Sequence, residues 1–187
     1  MSAKKQQGAK VGLVSRIDYG SKGFRRALLD AGFEILREEG THFNILAGGL
    51  VSQKDLKEEM KAVVKNGVRE DKKRNRKYEG DKYKDLLSSE RLGARKIELE
   101  DKFLEGVAKE LAVMIPATTI PDPEDPKKEK KVDLFITPSP AFDGEIGERV
   151  AYLLSGLRTD IKVWNTGGDR FPVLYVDKLL WALAPSK

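Results

Sequence analysis

Three short loops in this chain gather residue types that can handle phosphate or a metal ion. SRIDYG, residues 15–20, follows an apolar run and carries Arg16 and Asp18. AGGLVS, residues 47–52, follows a second apolar run, and NTGGDR, residues 165–170, supplies Asn165, Asp169 and Arg170. A guanidinium can hold a phosphate through two parallel hydrogen bonds without any metal. Carboxylate and amide oxygens are hard donors of the kind that hold Mg²⁺ or Mn²⁺. The first chemistry assigns Arg16, Ser21, Lys22 and Arg170 to phosphate binding with no cofactor. The alternative assigns Asp18, Asn165 and Asp169 to one Mg²⁺ or Mn²⁺ ion, with Asp18 and Asp169 as catalytic residues of a phosphodiesterase or nuclease. GSKG, residues 20–23, puts Ser21 and Lys22 where a helix is expected to begin, a favourable place for an anion, but lacks the full phosphate-loop spacing. Plainer uses are favoured for several of these groups: Asp18 capping the next turn, Asp169 in a Gly-Gly-Asp turn, and residues 20–23 as a solvated turn.

Other chemistry is thin. The chain has one histidine, His42, at the start of a strand, and no cysteine. Ser-His-Asp and Cys-His nucleophiles therefore have no support, and disulfides are excluded. PSPAFDGEIGE, residues 138–148, crowds Asp143, Glu145 and Glu148 around a strand-to-helix turn. It is either a site of its own or, as favoured, acidic residues complementing a helix N-terminus. Trp164 and Trp181 sit among apolar neighbours and are expected in a core or interface.

The second functional signal is charge. The net charge is +5, and residues 65–84 contain nine basic and four acidic residues, an excess equal to that of the whole chain. Lys72, Lys73, Arg74, Arg76 and Lys77, with Tyr78 beside them, could neutralise phosphates while a tyrosine stacks on an unpaired base. A solvated arm is the plain alternative.

The elements that must position these groups follow from periodicity. Strands are expected at 10–17, 42–47, 132–137 and 161–165, with a short one at 172–176. Helices are expected at 23–39, from Ser52 as N-cap with Asp55 three residues on, at 86–114, at 145–157 and at 177–183. PATTIPDPEDPKKEKK, residues 116–131, reads as a Pro-rich charged loop with neither helix nor strand. Residues 1–9 read as a disordered tail. Residues 10–187 read as one α/β domain, its mostly parallel sheet flanked by helices and interrupted by a charged, basic helical insertion at about 66–131.

The three strand-end loops, in their order and flanks, resemble those of the calcineurin-like metallophosphoesterases, a family that includes the Mre11-type nucleases. That family follows its first strand with Ser-Asp-x-His-x-Gly, its second with Gly-Asp and a later one with Gly-Asn-His-Asp/Glu, and these loops hold two metals that activate water. Here Ser15, Gly20 and Gly48 match. Arg16 replaces the ligand Asp, Asp18 the His and Gly49 the bridging Asp. In the third loop Gly167 can match, with Gly168, Asp169 and Arg170 replacing the rest. The resemblance covers roughly the first half of such a domain, and the later His-bearing loops have no counterpart. It implies a site whose metal ligands are largely replaced and whose Arg16 would repel a metal ion while still attracting phosphate.

The expectation is thus a non-catalytic, cytoplasmic domain binding nucleic acid or a protein–nucleic-acid assembly. A divergent phosphodiesterase is the first alternative. The second is a structural subunit whose apolar C-terminal stretch, VLYVDKLLWALAP, docks on a protein partner or a second copy. No run of apolar residues suits a membrane span.

Overall fold

The computed structural model describes residues 9–77, 89–122, 125, 127–139 and 143–164. The expected strand at 172–176, the helix at 177–183 and Trp181 lie outside them. Among the described residues, four parallel strands form the central sheet: β1 (Val11–Val14), β2 (Phe43–Ala47), β5 (Leu134–Thr137) and β6 (Ile161–Val163), in the order β1-β2-β5-β6. Four helices among the same residues accompany them: α1 (Arg26–Glu38), α2 (Gln53–Lys77), α3 (Ser89–Met114) and α4 (Gly144–Leu157). Parallel neighbours need long crossovers. The chain supplies them with α1, with the long α2–α3 segment and with α4. No helix among the described residues is long and apolar enough to cross a membrane.

Strand alternation divides the apolar residues between two faces. Leu46, aligned with Ile136, joins Leu134 and Ile161 on one face, where the core also takes Leu104, Leu111, Val150 and Leu154 from α3 and α4. Phe43 and Ile45 face the other way and cluster with Val132, against Ile120, Phe135 and Trp164. Phe135 meets Phe43 and Trp164 edge-to-face at 6.2 and 6.4 Å between ring centres. Trp164 is thus half-buried and packs against this smaller apolar cluster.

The insertion is where the structure departs most from periodicity. Residues 65–77 have no apolar repeat, yet they continue α2 without a break. What holds them is the antiparallel neighbour α3: the Arg95 guanidinium bonds the Asp71 carboxylate at 2.8 Å, and Gly67 lies against the Leu99 side chain. The expected boundary at 66 falls inside one helix.

The Pro-rich segment is a correction. It contains a short antiparallel pair, β3 (Thr119–Pro121) and β4 (Glu129–Lys131), with Thr119 opposite Lys131. Pro121 occupies the end of its strand, where a missing N–H costs the ladder least.

The opposite end of the sheet is closed by charge. Arg158 makes a two-point pair with Asp160 and donates to the carbonyls of Ala112 and Ile115 at the end of α3. Burial opposes ionisation of Asp160, but the Arg158 hydrogen bonds and charge outweigh it and hold the carboxyl below the usual range. His42 also lies at this end. Its Nδ1 accepts the Lys10 backbone N–H at 3.0 Å, so the only histidine stands across the sheet from the strand-end loops.

Candidate phosphate-binding site

The carboxyl ends of β1, β2 and β5 bring three loops side by side, the usual place for a ligand in an open α/β sheet. The first two are zipped through their backbones. The Gly49 carbonyl accepts the amides of Ile17 and Asp18 at 2.8 and 2.7 Å, and the Tyr19 carbonyl accepts the Ser52 amide at 2.8 Å. This close approach is why glycine stands at 49. Its φ is +67°, and a Cβ there would sit 2.8 Å from Arg16 Cγ.

Arg16 and Asp18, two of the predicted site residues, are brought together. The guanidinium lies 2.9 Å from the Asp18 carboxylate, with the Arg16 side chain 58% exposed and that of Asp18 28%. Asp18 has φ +52°, a left-handed conformation that Asp and Asn tolerate better than most residues. Its carboxylate serves Arg16 rather than capping the turn. The turn is closed instead by its backbone carbonyl, which accepts the Ser21 amide at 3.1 Å.

Ser21 and Lys22 are not at a helix N-terminus, contrary to the expectation from GSKG. Helix α1 begins at Arg26, and the preceding residues form a turn in which the Arg25 guanidinium bonds the carbonyls of Lys22 and Phe24. Ser21 instead joins Arg16, Asp18, Phe24 and Arg25 around a cleft of about 280 Å³ between this loop and α1.

The third loop is organised by a residue whose role the sequence did not disclose. Asp143 is fully buried, and its carboxylate accepts four backbone amides: Gly49 at 3.0 Å, Leu50 at 2.7 Å, Val51 at 3.3 Å and Ser139 at 2.8 Å. Burial pushes this carboxyl above the usual range, while the four amides pull against it. Asp143 immediately precedes α4 but makes no side-chain cap to it. It latches the β5 loop to the β2 loop. Asp143 thus stands at the start of α4, as favoured, but its carboxylate bonds the amides of the neighbouring loops, while Glu145 lies in the first turn of the helix. The legible signal was the spacing Asp-Gly-x-x-Gly at 143–147. A Cβ at 147 would lie 2.3 Å from the Asp143 Cβ, so glycine is what lets this turn close. Ser139 is also buried, and its hydroxyl has no hydrogen-bond partner among the described residues.

No family model matches the chain, nor does any curated protein or solved structure.

Helix α2 starts directly from these loops. Ser52 Oγ donates to Asp55, and the Ser52 carbonyl accepts the Leu56 amide at 3.0 Å, which fixes the first turn. Lys72 and Lys73 lie near its far end, about 28 Å along the axis at 1.5 Å per residue. Lys73 pairs with Glu70 at 2.8 Å, and Arg74, Arg76 and Lys77 occupy the last residues of the helix. The basic segment therefore stands away from Arg16. Asn165, Asp169, Arg170 and Tyr78 lie outside the described residues. Among those residues, no three acidic, histidine or cysteine side chains stand close enough to share a metal ion. Of the carboxylates at the strand ends, Asp18 is engaged by Arg16 and Asp143 by four backbone amides.

Proposed function

We propose that this domain binds nucleic acid without hydrolysing it, contacting phosphate at the strand ends and along a basic helical arm. The observation that carries the reading is the Arg16–Asp18 pair. A guanidinium, rather than a cluster of oxygen donors, stands at the tip of β1, and it suits a phosphate geometrically as well as electrostatically. The arm supports the same reading, because an unbroken helix leads from these loops to the most basic part of the chain.

The test is to incubate the purified protein with labelled single- and double-stranded DNA and RNA in Mn²⁺, beside an Asp18→Ala control. Retarded but intact nucleic acid at low salt, weakening steeply as salt rises, is the expected result. Cleavage that disappears in the control overturns the non-catalytic reading. Undetectable affinity at low salt for every substrate overturns nucleic-acid binding.

A further inference from the structure

We infer that the outer face of α2, over its whole length and not only at its basic end, is a docking surface for the phosphate backbone of duplex DNA. The inference rests on the nucleic-acid reading above and deepens it. Lys54, Lys57, Lys61, Lys65, Arg69 and Lys72 follow one another at steps of three or four residues, and all six are exposed. At that spacing they share one face of the helix. The opposite face carries Leu56 and Val64 into the protein and meets α3. The row spans about 27 Å at 1.5 Å per residue, with successive cations about 5–6 Å apart.

Two features separate this row from an ordinary solvated face. The first is the absence of partners. On α3, cations are matched one turn away by acids: Lys102 with Glu98 and Lys109 with Glu105. None of the six α2 cations forms an ion pair among the described residues, and Glu58 is the one acid within their face. Like charges at these spacings destabilise a helix, and a polyanion laid along them removes that repulsion.

The second feature selects the form of the polyanion. Residues 53–77 contain no aromatic side chain. Single-strand binding draws much of its energy from bases stacked on aromatic rings, whereas a straight row of cations suits the regular phosphates of a duplex. B-form DNA is favoured over an RNA duplex because its wide major groove admits a helix edge, while that of A-form RNA is deep and narrow.

The experiment compares the full chain with the triple variant Lys54→Gln/Lys57→Gln/Lys61→Gln, by fluorescence anisotropy on a 24-base-pair DNA duplex between 50 and 200 mM KCl. Circular dichroism and a thermal melt establish that the exposed substitutions leave the fold intact. The expected result is a salt slope for the full chain of about −5, falling in magnitude by about 3 in the triple variant, since each phosphate contact contributes about 0.9. Glu58→Gln is expected to tighten binding. A triple variant that binds duplex with an unchanged slope overturns the inference and leaves the nucleic-acid reading standing. Tighter binding to single strands or to an RNA duplex of the same length also overturns it. A full chain that binds no nucleic acid removes the reading beneath it.

Discussion

The carboxylate of Asp143, immediately before α4, accepts the backbone amide of Leu50 at 2.7 Å across 93 positions of sequence. With its three other amide partners it fixes the β2 loop against the β5 loop. Asp143→Asn replaces one acceptor oxygen with an N–H₂ that faces amide donors. A buried amide left without an acceptor costs about 1–3 kcal/mol, so the variant is expected to lose about 3 kcal/mol. Urea unfolding checks this. A loss below about 0.5 kcal/mol would mean the latch is not what joins the loops.

Two glycine substitutions should move stability in opposite directions. Gly49→Ala meets Arg16 and a φ of +67°, a conformation that costs an L-residue about 1–2 kcal/mol. It is expected to destabilise the domain by at least that much. Gly32→Ala lies inside α1, and beyond its own helix backbone no atom of the described residues comes within 4 Å of the added methyl. It should stabilise by about 0.5–1 kcal/mol through helix propensity and a less flexible unfolded chain. Paired thermal melts of the two variants decide the matter.

Tyr19 donates its hydroxyl to Glu110 on α3. Burial, then that hydrogen bond, then the charges of Glu110 and Glu59 hold its phenol above the ordinary value. The folded state therefore keeps this proton more tightly than the unfolded chain does. Its contribution is complete below about pH 10, the ordinary tyrosine value, and is lost as pH rises beyond it. Tyr19→Phe is expected to cost about 1 kcal/mol at pH 7, with a gap that narrows in alkali. Absorbance titration should show one late-ionising tyrosine that is missing in the variant.

Asp18 competes with any phosphate for Arg16. Asp18→Asn keeps the left-handed backbone and removes the competing charge, so affinity for nucleic acid should rise several-fold. Arg16→Ala should lower it by about tenfold, equal to roughly 1.4 kcal/mol, close to the lower end of the range for charge-assisted hydrogen bonds. Anisotropy titrations at one fixed salt concentration test both. Equal affinities in the two variants would remove Arg16 from the binding surface.

Much of the frame was legible because burial writes a period into the sequence. β-branched and apolar runs marked β1, β2, β5 and β6, and the helical spacing of Phe24, Ala27, Leu28, Ala31, Ile35 and Leu36 marked α1, although the face it buries is that of Leu29 and Phe33 and leaves Leu28 and Ile35 exposed. The outer half of α2 was not legible by that route. It is held by Asp71 meeting Arg95 and by Gly67 meeting Leu99, contacts with no apolar repeat. The β3–β4 pair was hidden for a similar reason, since Pro and Lys residues at an exposed edge carry no strand signal. At the candidate site, Arg16 and Asp18 stood out by type and place, but the pairing of the two did not, since Asp18 read more readily as a turn cap. Asp143 did not, because a carboxylate bonding distant backbone amides looks in sequence like any acid at the start of a helix.

The strand order carries a consequence for how the chain reaches this fold. Leu46 aligns with Ile136, 90 positions further along, and that pairing joins the two central strands. Contacts so remote in sequence are slow to form, because closing a long loop costs entropy before any contact returns it. Between them lies α2–α3, whose own contacts are nearer in sequence. A helical hairpin that forms early would shorten the effective loop, carrying the end of β2 towards the start of β5. On the ribosome, β1 and β2 emerge long before β5 and must wait beside the forming arm until the rest of the sheet arrives.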